Sequence, residues 1–396
     1  MSDQVTTYLR KQKASAKDDV ADNWHKLEDL HAKKLWHPLT AEVCVLLSKP
    51  SFVNGLNLKE FYDSFISTFE HRINTLHLAE MSLPVARYVF GKNHQEAYDF
   101  LIKIGKTVQK DKIATARLHT GEIELRLLHK DSQDRVVDIA KIRSMIESTQ
   151  KEIDNLIGVT EVHAPFYKVS ALYLKEVGDF AGYYREALRY LGVEDINKLT
   201  ADEKYSQALL VGFAALLGEN VYNFGELLCH PILKVLKNTG EKWLIDVLDA
   251  FNSGDLNKFY ALEKDWTVWN DLKKERDALV AKLRLMAVME IALARPSKER
   301  NIPFKEIAAK CQVNINDVEF LVMKALSKGL IQGCIDQVNQ TVLITWVQPR
   351  VLNPQQILAM ADRINAWRAD VASMENIVNE HAKEILTKTT EKALVV

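Results

Sequence analysis

The sequence predicts a mainly α chain: helical repeats first, then a small module of helices and a hairpin, then one long helix. Apolar residues recur at three- and four-residue spacing almost without a break from Asp22 onward. Alternating β-branched runs are few before residue 330, and the nine prolines fall near expected helix ends, as at Pro84, Pro165 and Pro231. From Ile357 onward an apolar residue returns every seventh position.

Residues 1–21 are polar and mixed in charge, and a flexible tail is expected there. Trp24, Leu27, Leu30 and Leu35 then keep one apolar face, and Pro38 falls in the first turn of the next helix. Phe61, Phe65, Ile66 and Phe69 mark another stripe. Helices follow at about Gln95–Val108, Ile113–Leu128 and Val136–Ile157. The pairs Gly178-Asp179, Gly218-Glu219 and Gly254-Asp255 recur at intervals of 40 and 36 residues, each glycine with an aromatic six positions on: Tyr184, Phe224 and Tyr260. A glycine can end a helix in the left-handed conformation, and the acidic residue suits the positive start of the next. Such periods fit a solenoid of paired helices, a fold that presents long protein-binding surfaces. Three copies are few, and chance recurrence is the competing reading.

The C-terminal third changes character. Pro303, Phe304, Ile307, Ala308 and Cys311 predict a short helix, and Gln312–Asn314 a turn. Asn314 is the expected N-cap of a second helix with Ile315, Val318, Leu321, Val322, Ala325 and Leu326 as its stripe, ended by Gly329. Leu330–Asp336 and Thr341–Val347 read as two strands joined by the turn Gln337–Gln340. Helix, turn, helix, hairpin is the order of a winged helix. Val342, Ile344 and Trp346 are expected on one face of the second strand, and Leu343, Val347, Thr341 and Thr345 on the other. Both faces are partly apolar, and a two-stranded wing has free edges that can pair with a neighbouring chain. Leu343, Thr345 and Val347 are the candidate contacts.

Ile357, Ile364, Val371, Val378 and Ile385 are spaced by seven, and Met360, Trp367, Met374 and His381 follow the first four by three. This is an a/d heptad, and its seam needs a cover. The cover is either a partner helix or the chain's own domain. Pro349 and Pro354, which separate the segment from the hairpin, favour a partner. The expected boundaries are a tail over 1–21, helical repeats over 22–170, a second region over 171–348 (repeats to 300, winged helix over 301–348), and an assembly helix over 354–388.

Composition narrows the function. With 396 residues, 47% hydrophobic and 27% charged, the chain can bury a sizeable core. A formal net charge of -1 lacks the basic excess that phosphate binding draws on. The helix expected at Ile315–Ser327 carries Asp317 and Glu319 against Lys324, and acidic residues there repel a nucleic-acid backbone. The longest apolar run, near Ala208–Leu217, is too short to span a membrane, and the first residues lack the apolar stretch of a signal peptide. Four cysteines without a C-x-x-C pair read as reduced thiols. No P-loop, dinucleotide fingerprint, G-x-S-x-G or H-E-x-x-H occurs. His25, His31 and His37 point in different directions on helices and read as surface or interface residues. No enzyme activity, cofactor, metal, small-molecule substrate, membrane or nucleic acid is expected.

Helical repeats fused to a winged helix resemble the PCI-domain family, whose members occur in the proteasome lid, the COP9 signalosome and a translation initiation factor complex. Locally the chain is similar to the proteasome-lid members of that family. The similar stretches are Lys33–His37, Phe65–Asn74, Gly158 through Gly192, Leu216–Leu233, Trp243–Leu256, Val318–Asp336 and Thr345–Leu352. The resemblance implies that 171–348 is a PCI domain. It implies a non-catalytic structural subunit of the regulatory particle lid, in a complex that degrades ubiquitinated proteins with ATP, in cytoplasm and nucleus. It further implies that other lid subunits are the partners, through winged helices packed side by side and a bundle of C-terminal helices. The alternatives are a signalosome or translation-factor scaffold, or a winged-helix nucleic-acid binder.

Overall fold

The computed structural model describes residues 2–15, 18–53, 56–131, 135–296, 299–351 and 354–393. The chain is mainly α, with helical repeats at its N-terminal side and a winged helix followed by a long helix at its C-terminal side. It divides into two compact units, Met1–Glu219 and Asn220–Val396.

The described residues of the first unit form helices and their connections, with one isolated antiparallel bridge between Lys130 and Val136. The expected tail is instead a helix, Ser2–Ser15, followed by a second, Asp18–Ala32. Val5, Tyr8 and Leu9 fall on one face of the first and are buried in the same core as Trp24, Leu27 and Leu39. Three apolar residues at helical spacing suffice to dock a helix whose composition is otherwise polar. An aromatic cluster centres this core. Trp24 lies 5.1 Å from Phe52, Phe61 lies 5.4 Å from Phe65, and Trp36 stacks on Phe69 at 5.8 Å.

Side-chain caps start several of the later helices. Asn74 accepts a hydrogen bond from the Leu76 N–H, and Asn93 from Gln95. Asp111 accepts from Ile113. Thr200 and Glu203 form a reciprocal capping box on the Ala201–Leu217 helix. Pro84 stands inside the Thr75–Phe90 helix and not at its end. Proline there removes one backbone hydrogen bond. Burial of Leu78, Ala79, Met81, Leu83, Val85, Ala86 and Val89 on the same helix outweighs that loss.

Two of the three glycine repeats behave as expected. Gly178 and Gly254 are left-handed, with φ of 84° and 65°. The next residue's N–H in each case bonds back across the helix end, Asp179 to Leu174 and Asp255 to Ala250. Asp179 and Asp255 then cap the following helices through their carboxylates. The middle copy differs. Gly218 is extended with φ of -62°, and the positive-φ residue is Asn220. No helix starts at Glu219; the next begins at Gly225.

In the second unit the Arg276–Leu293 helix is the core element. Leu279, Leu283, Met286, Val288, Met289 and Ile291 are all buried, so several of its faces are covered. Trp266 stacks on Phe259 at 4.9 Å nearby. The winged helix follows: strand β1 (Asn301–Pro303), helices Phe304–Cys311 and Ile315–Ser327, then strands β2 (Ile331–Asp336) and β3 (Thr341–Val347). Gly329, at φ of 67°, ends the second helix, with the Leu330 N–H bonded to the Ala325 carbonyl. The sheet is antiparallel in the order β1-β3-β2. The extra strand changes the expected two-stranded wing, because β3 becomes the middle strand. Ile302 pairs with Val342, and the Ile344 N–H donates to the Arg300 carbonyl at 3.0 Å.

Candidate functional site

Two surfaces were expected to carry contacts, the second wing strand and the heptad helix. On β3 the residue alternation is broken. Gln332 pairs with Trp346 and Gly333 with Ile344, so Thr345 is the extra residue of a β-bulge. A bulge advances the pleat by one residue. Ile344 is buried, Thr345 and Trp346 are both exposed, and Val347 returns to the buried side at 8% exposure. Trp346 therefore does not share the face of Val342 and Ile344, and Val347 faces the core, contrary to the expected pattern. Leu343 is 45% exposed. Thr345 is exposed, and its hydroxyl donates to the Gln332 carbonyl at 3.1 Å. The open edges of the sheet belong to β1 and β2.

The heptad segment lies in one helix, Pro354–Ala393, of 40 residues. At 1.5 Å per residue it is about 60 Å long. Every residue from 357 to 380 is exposed. Ile357, Met360, Ile364, Trp367, Val371, Met374 and Val378 all lie half or more open to solvent, Trp367 at 69%. Nothing among the described residues covers the seam from this chain. Ile385 lies in the same helix, but its side chain is outside the described residues. Leu358 and Ile377 are also exposed and widen the apolar surface beyond the a/d positions. They are legible in the sequence only once the neighbouring seam is known to be uncovered.

The helix is tied at its root. The Arg350 side chain, 3% exposed, forms an ion pair with Glu290 of the Arg276–Leu293 helix. Its Nη1 donates to the Asn252 carbonyl at 3.0 Å. Gln356 Nε2, in the first turn of the long helix, donates to Glu290 Oε1 at 3.2 Å. Burial pulls the Arg350 guanidinium below its ordinary range. This network was not anticipated from sequence.

The exposed side of the Ile315–Ser327 helix, where a DNA-reading winged helix presents base contacts, holds Phe320 at 68% exposure and Met323. Asp317 is exposed beside them, and Glu319 accepts from Gln337 Nε2 of the wing turn at 3.1 Å. Lys324, one turn on from Phe320, is exposed as well, so this surface mixes apolar, acidic and basic side chains. Among the described residues no three His, Cys, Asp or Glu side chains group as metal ligands. No helix there is long and apolar enough to cross a membrane. His25 and His37 are exposed, as expected, while His31 lies against Trp36, Phe65 and Phe69, and burial lowers its pKa. Lys282 is buried over the Phe224 ring at 5.1 Å, and burial, helped by the Lys328 charge, pushes its pKa down to about 7.

Comparison with known proteins bears on both units. Residues 23–248 match the family described as PSD13 N-terminal repeats, and residues 256–346 match the PCI domain. The chain is 34% identical to 26S proteasome non-ATPase regulatory subunit 13 homolog B of Arabidopsis thaliana, over 91% of this chain and 93% of that one. It is 32% identical to 26S proteasome non-ATPase regulatory subunit 13 of Dictyostelium discoideum, over 93% and 95%. A probable 26S proteasome regulatory subunit of Schizosaccharomyces pombe is 33% identical over 97% and 98%.

Proposed function

This chain belongs to the family of 26S proteasome non-ATPase regulatory subunit 13, and from that membership we propose how its surfaces work. It is a structural subunit of the proteasome regulatory particle lid and interacts with other proteasome subunits. Its role is in assembly and integrity of the complex that degrades ubiquitinated proteins with ATP, without a catalytic step, cofactor or small-molecule substrate of its own. It works in cytoplasm and nucleus and engages neither nucleic acid nor membrane.

The finer proposal concerns contacts. The C-terminal helix enters a bundle with helices of neighbouring lid subunits through Ile357, Met360, Ile364, Trp367, Val371, Met374, Val378 and Ile385. The observation that carries this is the uncovered seam over residues 357–380 of the Pro354–Ala393 helix. Fully burying an aliphatic or aromatic side chain contributes about 1.5–3 kcal/mol. Seven half-open seam residues therefore supply enough to hold a helix in a bundle even after ordering costs. The winged helix packs beside a neighbour's through the sheet, with Leu343 and Thr345 on the exposed part of β3 and Val347 supporting them from the buried side. The domain plan we propose keeps helical repeats ahead of a PCI domain and an assembly helix last. The runner-up, a signalosome or translation-factor scaffold, is weakened by the match of the N-terminal repeats to the proteasomal family.

The test is affinity purification of the tagged chain from lysate with ATP present, followed by mass spectrometry. Proteasome ATPases, core subunits and lid subunits in near-equal amounts are the expected result. Signalosome or ribosome-associated subunits in their place would overturn it.

A further inference from the structure

The segment between the sheet and the long helix is held at several points within the second unit. The Gln348 N–H donates to the Leu330 carbonyl at 2.8 Å as the chain leaves β3. The Val351 N–H donates to Asn223 Oδ1 at 3.3 Å. A Cβ on Gly225 would lie 2.8 Å from the Val351 carbonyl oxygen, so glycine is what lets this strap lie flat. Between those two points the Arg350 side chain turns inward to Glu290 and the Asn252 carbonyl. The other oxygen of the Glu290 carboxylate accepts from Gln356. One carboxylate thus holds the strap with one oxygen and the first turn of the long helix with the other.

Packing alone does not call for ions here. A buried ion pair is often matched or bettered in stability by apolar residues of the same volume. What the pair adds is direction, because guanidinium and carboxylate meet in a fixed plane. Direction matters for a helix about 60 Å long: a swing of about 10° at the root moves the far end by about 10 Å. Residues 357–380 are exposed, so beyond Gln356 no described part of the chain corrects such a swing.

We infer that Arg350, Glu290 and Gln356 form a clamp that sets the direction in which the Pro354–Ala393 helix leaves the winged helix, and so presents its seam to partners. The clamp residues are positioning residues. The inference rests on reading that helix as the assembly element.

The experiment uses the full chain with spin labels at native Cys334 on β2 and at Ser373→Cys on the long helix, Cys44 and Cys229 being replaced by alanine. Double electron–electron resonance is expected to give one narrow distance peak. Gln356→Ala severs the helix from the clamp and leaves the buried pair intact. The peak is expected to be lost to a broad distribution while the thermal transition stays in place. Gln356→Lys, which still donates to Glu290, is expected to keep the peak. The double variant Glu290→Met/Arg350→Met keeps the volume buried and is expected to lose the peak as Gln356→Ala does. An unchanged peak in Gln356→Ala overturns the clamp. Incorporation of the same variants into the regulatory particle is read separately. A broadened peak with slowed incorporation supports both readings. A broadened peak with normal incorporation overturns the inference that the clamped direction presents the seam to partners, while failed incorporation of Gln356→Ala with an unbroadened peak overturns the clamp; the assembly role of the helix itself is read from Ile364→Asp.

Discussion

A Cβ placed on Gly333 would stand 2.0 Å from the carbonyl oxygen of Leu343 across the sheet. The contact is with backbone, which cannot rotate away, and it lies at the bulge where β2 and β3 shift register. Gly333→Ala is therefore expected to undo the bulge. Overpacking costs typically 1–3 kcal/mol, and this site belongs at about 3 kcal/mol. Urea unfolding of the full chain checks the value, and a change below about 1 kcal/mol would mean that the strand yields easily.

The seam residues should separate assembly from stability. Ile364→Asp and Val371→Asp alter side chains that are half open in the free chain. Surface substitutions usually stay within about 0.5 kcal/mol of stability, so the melting temperature should hardly move. A carboxylate in a buried helix bundle is costly, and incorporation into the lid is expected to weaken on the order of a hundredfold, about 2.7 kcal/mol. Competition between tagged wild-type and variant chains during assembly measures it.

Lys282 predicts a pH dependence with a definite sign. Its folded pKa is lowered from 10.5 to about 7 by burial. Between those values the unfolded chain holds a proton that the folded chain does not. Stability from this group is therefore greatest above the unfolded pKa and falls as pH drops, levelling out below about 7. The slope approaches about 1.4 kcal/mol per pH unit at most. Lys282→Met should flatten stability against pH between about 7.5 and 9.5, within the interval bounded by the folded and unfolded pKa values. Parallel denaturation curves for wild type and variant across that window would remove the prediction.

The left-handed glycines of the repeat, Gly178 and Gly254, should respond unequally. Gly178 has nothing within 4 Å of a built Cβ, so Gly178→Ala meets backbone strain alone, about 1 kcal/mol. A Cβ at Gly254 would lie 2.8 Å from the Ala287 Cα, so Gly254→Ala adds an overpacking cost of about 1–3 kcal/mol. Thermal unfolding of the two variants side by side gives the order.

Periodic features were legible in the sequence and geometric ones were not. The heptad from Ile357 to Val378 and the stripe Val318, Val322, Ala325 are readable because a helix repeats its own period. The order of the winged helix followed from Gly329 and the alternating strands. Strand β1 was missed because three residues containing Pro303 carry no alternation, and their strand character comes only from pairing with β3. The burial of Val347 was missed for a related reason: a bulge is a property of two strands in register, visible in neither alone. The first helix was hidden by charge, since Val5, Tyr8 and Leu9 are a short stripe in a polar stretch. Arg350 and Glu290 are sixty residues apart, and nothing local in either marks the other.

The uncovered seam also has a meaning for the orphan chain. A subunit synthesised in excess of its neighbours carries a stripe of Ile, Met, Trp and Val along the outside of a free helix. Apolar stripes of that size invite self-association, so such chains should pair with one another as their concentration rises. An exposed apolar stripe is also the kind of surface that other proteins bind. In the bundle proposed above the stripe would be hidden. Assembled and surplus subunit would then differ in one exposed surface, the apolar stripe of the long helix.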